Sequence, residues 1–295
     1  MKKGIILGIL IMILLSVAGY FFYDAQKTVT EIKEVPVKKS ITYRFTLKNT
    51  TEQLITGQTF WVYAPVEKNA SQQVEKIKAS HPYELIKDKY NNQILAFPIN
   101  NLAPFSRRII RIQVALTLSK NLHNMPLLDT TEYLVSTENI NIQDPKIKQL
   151  SATLKQSETK ESAYKAYQWV AANIKYTGYK SKQLNASDTL KTLAGDCTEY
   201  MHLLSTINRI NQIPTREIGG YVVSQSPVLK AYEYHNWNEI YMDGQWHISD
   251  AQKKNHLKGY QNYIAFHNYG NDPLNPLNNA HRYKVSDQRI NVKMK

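Results

Sequence analysis

The spacing of apolar and polar positions changes character several times along the chain. Residues 4–23 form one apolar run, about the length that spans a bilayer. From residue 40 the period becomes two. Ile41, Tyr43, Phe45 and Leu47 alternate with Thr42, Arg44, Thr46 and Lys48, which predicts a half-buried strand. Residues 59–64, 83–86, 93–97 and 108–118 read as further strands, with a turn at Asn91 and Asn92. Strands at this spacing predict an all-β sandwich over 40–120. Residues 121–144 read as a connector. Beyond Pro145 the spacing turns helical: Ala163, Tyr167, Val170 and Ile174, flanked by Tyr164 and Ala171, make one apolar stripe of a core helix. A polar loop follows over 176–186, and Ser187 or Asp188 is expected to cap a short helix.

A second helical stripe, Met201, Leu204, Ile207 and Asn211 with Leu203 and Ile210 beside them, begins just after Gly195 and Asp196. Gly195 breaks structure and Asp196 is placed to cap the helix. Cys197, the only cysteine, then falls in the first turn. There the helix dipole and unpaired N–H groups favour a thiolate, so the expected thiol is an acidic nucleophile. Taken alone, the same cysteine also reads as a small buried hydrophobe.

Two strands of period two complete the pattern, at 235–242 and 245–250, joined by Asp243-Gly244, a strong hairpin signal. Pairing Met242 with Gln245 sets Trp237 against Asp250 and His235 against Gln252. His235, Trp237 and Asp250 then share one face. His235 and Asp250 become diagonal neighbours, roughly 7–8 Å apart at the backbone and within side-chain reach. A carboxylate that orients an imidazole, which in turn activates a thiol, is the logic of a catalytic triad. Glu239 falls on the same face and reads as a structural acid paired with Arg216. Residues 215–223 read as a strand whose Gly219-Gly220 marks a bulge or a close backbone approach. Ser226-Pro227, at the tip of the next loop, is a candidate wall of the substrate cleft.

Gly195-x-Cys197-x-Glu199, Ile213-Pro214-x-Arg216 ahead of Gly220-Tyr221, His235-x-Trp237-x-Glu239 and Gly244-x-Trp246-x-x-x-Asp250 occur in this order, with Asp188-Thr189-Leu190 before them. This series resembles the transglutaminase-like superfamily over about 145–252. The resemblance implies an α+β, papain-like core in which a cysteine-bearing helix packs on an antiparallel sheet. It implies Cys197 as nucleophile, His235 as general base and acid, and Asp250 as the group that orients His235. Trp237, Glu239 and Arg216 would be structural neighbours of the site. An aromatic from the loop before the cysteine helps form the oxyanion hole in that family, which makes Tyr176 and Tyr179 candidates here. Some members carry an N-terminal β domain.

The organisation expected is an anchor or signal segment at 1–23, a stalk at 24–39, the sandwich at 40–120, the connector at 121–144, a transglutaminase-like domain at 145–252 and its C-terminal extension at 253–295. Lys2 and Lys3 before the apolar run, and Asp24 after it, orient the rest of the chain outside the cytoplasm. Cleavage near Ala18 would instead release it. A single cysteine forms no intrachain disulfide, so in an exported protein a catalytic thiol accounts for it. The expected activity is that of an exported cysteine-dependent amide hydrolase or acyl transferase acting on a protein or peptide through a thioester. The alternatives are a silent transglutaminase-like binding module at the cell surface and a papain-like wall peptidase of another family.

Most of the net charge of +13 lies outside the candidate catalytic region. Residues 27–120 carry 15 basic and 7 acidic groups, whereas 145–252 carry 12 and 10. A basic surface attracts polyanions. The expected partners beyond substrate are the membrane, through the N-terminal segment, and an acidic envelope polymer or lipid, with no nucleic acid. The other histidines show no ligand spacing with Cys197, and no phosphate loop or dinucleotide fingerprint occurs, so no metal or cofactor is expected.

Overall fold

The computed structural model describes residues 36–127, 129–179, 183–223, 227–278 and 280–295. The apolar run at 4–23 and residues 24–35 of the expected stalk lie outside these residues, as does Ser226, whereas the stalk's last residues, Val37 to Lys39, are not a stalk but the start of a strand paired with residues 116–118. Among the described residues no helix is long and apolar enough to cross a membrane.

Six strands open the described chain: β1 (Val37–Asn49), β2 (Gln58–Ala64), β3 (Gln72–Ala79), β4 (Glu84–Lys87), β5 (Gln93–Ile99) and β6 (Arg107–Leu118). The α-rich segment holds α1 (Pro145–Leu154), α2 (Thr159–Asn173), β7 (Lys175–Tyr176), α3 (Ala186–Thr192), β8 (Ala194–Gly195) and α4 (Cys197–Ile210). Then come β9 (Thr215–Val222), β10 (Tyr234–Met242), β11 (Gln245–Asp250), β12 (Asn255–His256), β13 (Tyr263–Asn268), β14 (Tyr283–Val285) and β15 (Ile290–Met294). The fold is mixed α+β, with a β-rich N-terminal region followed by helices and a further antiparallel sheet.

The N-terminal strands form two facing sheets, ordered β15-β1-β6-β3 and β14-β2-β5-β4. Their alternation is the one read from the sequence: Ile41, Tyr43, Phe45 and Leu47 are buried between the sheets. Two features depart from that reading. β3 was not expected, because a bulge between Val74 and Lys76 breaks its period of two. The tail, expected to extend the catalytic domain, is divided between both parts of the fold. β12 and β13 join the second part, while β14 and β15 close the edges of the two sandwich sheets. Burial explains the return to the sandwich. Tyr283 packs against Phe45 and Phe60, with ring centroids 5.2 and 5.9 Å apart.

The second part is a five-stranded antiparallel sheet, β12-β11-β10-β9-β13, with α4 on one face. α4 is buried from Thr198 to Arg209 because α1, α2 and α3 cover the side turned away from the sheet. Asn238, on β10, stitches sheet to helix by donating to Met201 O and Ser205 Oγ at 3.1 and 2.7 Å. No linker separates the two parts. Residues 36–295 form one compact unit, and Tyr221 and Phe266 of the five-stranded sheet share a core with Tyr43. Gln72 on β3 reaches across like a backbone amide: it donates to Ala265 O and accepts from Ala265 N, which occupies the edge of β13.

Candidate active site

The hairpin β10–β11 has the register the turn demands. Met242 faces Gln245, and the pairing continues to Asn238 opposite Ser249. Asp243 and Gly244 have φ of 52° and 75°, as a type I′ turn requires at both central residues. The consequence lies at the far end. His235 Nε2 and Asp250 Oδ2 are 2.7 Å apart, and both residues are buried. A carboxylate only accepts, so the neutral imidazole keeps its proton on Nε2 and leaves Nδ1 as its basic nitrogen.

Asp250 has two further donors. The Tyr263 hydroxyl gives to the same Oδ2 at 2.9 Å, and the Lys253 N–H gives to Oδ1 at 2.9 Å. Trp237 lies between these groups, stacked along His235 with centroids 6.3 Å apart and edge-on to Tyr263 at 5.1 Å. Sequence reading missed Tyr263, because β13 meets Trp237 only through the assembled sheet. Its hydroxyl shares the carboxylate's charge with the imidazole. Tyr263→Phe is therefore expected to leave Asp250 a stronger partner for imidazolium and to move the acid limb of the kcat/KM profile to higher pH. Turnover should fall roughly tenfold, as for other groups that act behind a catalytic side chain. A lower Tm with an unmoved pH profile would make Tyr263 merely structural.

Cys197 is the first residue of α4. Asp196 caps the helix by accepting from Thr198 N at 2.8 Å, and Glu199 returns the bond from Asp196 N at 2.7 Å. This reciprocal capping box was legible as Asp-x-x-Glu but was not read as such. The other oxygen of Glu199 accepts from Leu184 N at 2.8 Å and so fixes the loop ahead of α3. Gly195 is required here: a Cβ would lie 2.3 Å from the Cβ of Glu199. The cap of α3 is Asn185, two residues before the expected Ser187 and three before Asp188.

The thiol is not acidic, contrary to the expectation from its helix position. Burial and the Asp196 carboxylate push Cys197 up to about 12, against the opposing pull of a hydrogen bond from the Asn236 N–H and a contact with Thr198. The residue that caps the helix also sets a negative charge beside the sulfur. The Asn236 bond has a second meaning: it joins the sulfur to the residue after His235. The Asn236 side chain donates to Thr198 Oγ1 at 2.8 Å and accepts from the Tyr269 hydroxyl at 3.2 Å, which holds helix and strand together.

The remaining sequence candidates separate. Tyr176 pairs with Gly195 across the short β7–β8 ladder and is 53% exposed, and its environment includes Cys197 and Asp196. Tyr179 is 78% exposed. Arg216 and Glu239 are cross-strand partners joined by Nε at 2.8 Å and by Nη2, with the guanidinium over Trp246 at 4.3 Å. Glu239 is thereby committed to Arg216. Gly219 and Gly220 are close approaches, as expected: a Cβ on Gly220 would meet Ile264 O at 2.1 Å. Pro227 does not stand free, because its carbonyl accepts from Thr42 N at 2.7 Å on β1. A buried pair unread in the sequence, His202 and Glu217 at 2.8 Å, pins α4 to β9. Burial opposes both charges, yet the Glu217 carboxylate holds His202 above its ordinary range, and His202 and Arg209 hold Glu217 below its own.

Comparison with known proteins follows the same outline. No curated protein sequence matches the chain. A candidate cysteine protease from Cytophaga hutchinsonii shares the fold, with TM-score 0.56 and 15% identity, covering 88% of this chain and 92% of that one. The periplasmic domain of TgpA from Pseudomonas aeruginosa aligns with TM-score 0.40 and 14% identity, over 71% of this chain and 87% of that one. Residues 148–251 match the sequence model of the transglutaminase-like superfamily. That stretch holds the cysteine helix and the histidine–aspartate hairpin together: residues 148–251 are a transglutaminase-like domain.

Proposed function

We propose that this domain transfers an acyl group from an amide to water through a thioester on Cys197. One observation carries the reading. His235 is bonded to Asp250 at 2.7 Å, and its neighbour Asn236 holds the Cys197 sulfur. Because the thiol is protonated at rest, the sulfur attacks as His235 Nδ1 takes its proton, and Asp250 stabilises the imidazolium that forms. The carbonyl oxygen takes up negative charge near the N-terminus of α4. There the Cys197 N–H, which has no partner within the helix, is one donor and the Tyr176 hydroxyl is the candidate second. His235 then protonates the leaving amine, and the thioester remains. Water attacks it with His235 again as base, which releases the acid and the thiol. An amine entering in place of water would make the same site a transglutaminase.

Incubation with glutamine-containing peptides and a labelled amine separates the two outcomes. Free carboxylate product is expected to predominate, and stoichiometric amine incorporation would overturn the hydrolytic assignment. Lys2, Lys3 and the apolar run at 4–23 support a location outside the cytoplasm. A reporter fused after Lys295 should be active only there, and activity in the cytoplasm would reject this topology.

A further inference from the structure

The sheet β15-β1-β6-β3 is strongly basic. Its four strands contain ten basic residues and one acidic residue, Glu75. The partner sheet of the sandwich contains two basic residues and one acidic. The register aligns these charges instead of dispersing them. Arg44 lies directly opposite Arg111, and Lys48 opposite Arg107. Like charges facing each other across strands destabilise a sheet. Parity puts these side chains on the side away from the apolar core, where Lys78 and Lys293 extend the row to both edge strands. None of the six enters an ion pair among the described residues. The arrangement is costly for the isolated protein and favourable against a fixed negative surface.

We infer that this face docks on an anionic lipid bilayer. The aligned cations suit anionic headgroups, and the apolar residues on and beside the sheet suit the headgroup boundary. Ile109 stands among the cations at 53% exposure. Phe105 and Leu54 project at the same end of the sheet, 55% and 54% exposed, where the Phe105 N–H bonds Thr51 O. Cations interleaved with exposed apolar side chains are the composition of membrane-surface binding, where each basic group gains from anionic headgroups. Only 13 residues separate the apolar run from Val37, the first residue of β1. The inference stands apart from the catalytic reading, since no group of the candidate triad takes part.

Lysine acetylation of the full-length chain tests it, with vesicles of phosphatidylcholine alone and of phosphatidylcholine mixed with phosphatidylglycerol. Peptide mass mapping reads the modification rate at each lysine. Anionic lipid is expected to slow labelling of Lys48, Lys78 and Lys293 by roughly threefold or more, to spare the exposed Lys165 on α2, and to lose this effect at high salt. The double variant Arg44→Glu, Arg111→Glu should keep the wild-type Tm and lose the protection. Equal labelling in both vesicle types, or protection spread equally to Lys165, would overturn the inference. Protection stronger with soluble polyphosphate than with anionic vesicles would assign the face to a polymer and overturn the lipid assignment.

Discussion

Cys197→Ala is expected to lose turnover by roughly a millionfold, the scale seen when a serine nucleophile is removed from its triad. The fold should survive. The capping box of α4 is made by Asp196 and Glu199, and neither bond involves the thiol. Deleting one sulfur from this half-buried position costs on the order of 1 kcal/mol at most, which lowers Tm by a few degrees. Alkylation of the wild-type enzyme by iodoacetamide gives an independent readout. Since the resting thiol titrates near 12, the rate should climb steadily as pH rises beyond neutrality and show no plateau below pH 9. A plateau near pH 6 would reveal a preformed thiolate and replace the concerted proton transfer. Retained turnover in Cys197→Ala would exclude the cysteine altogether.

Asp250→Asn is the second large effect, expected near 10⁴-fold in kcat by analogy with the same change in serine triads. The amide would offer an N–H toward His235 Nε2. That nitrogen must then accept, so the ring proton moves to Nδ1, the nitrogen that should take the thiol proton. The bonds from Tyr263 and Lys253 each need an acceptor, and the amide oxygen can satisfy only part of what two carboxylate oxygens satisfied. Some stability should therefore be lost as well, and turnover must be compared under conditions where the variant is folded. Inserting one residue after Gly244 should reach the same end by geometry. A slip of one residue turns the returning strand over, so Asp250 faces away from His235 while α4 keeps its sequence and cap. Near-normal turnover in a folded Asp250→Asn protein would remove Asp250 from the mechanism. Glu239 is a poor substitute, bound as it is to Arg216.

The hairpin shows how far a sequence can be read when local rules decide geometry. Asp243-Gly244 permits one tight turn, the side-chain period is two, and together they carry His235 to Asp250 over 15 residues. The cysteine helix was legible for similar reasons, since a break, a cap and an apolar stripe are all local. What was missed depends on the assembled fold. β14 and β15 belong to the sandwich because Tyr283 finds Phe45 and Phe60, more than 200 residues away in the chain. Tyr263 reaches Asp250 only after β13 has joined the far edge of the sheet. The state of the thiol was misread because a helix N-terminus implies an acidic cysteine only where the sulfur is solvated. Here the residue is half-buried and its sulfur largely desolvated, and the capping carboxylate stands beside it.

Acylation by p-nitrophenyl acetate, a generic activated ester, tests the central claim most directly. The wild-type chain is expected to release one equivalent of p-nitrophenolate per molecule in a burst, with the acetyl group mapped to the peptide holding Cys197. His235→Asn should give neither the burst nor the adduct. An equal burst in His235→Asn, or acetylation elsewhere with Cys197 left free, would contradict the account.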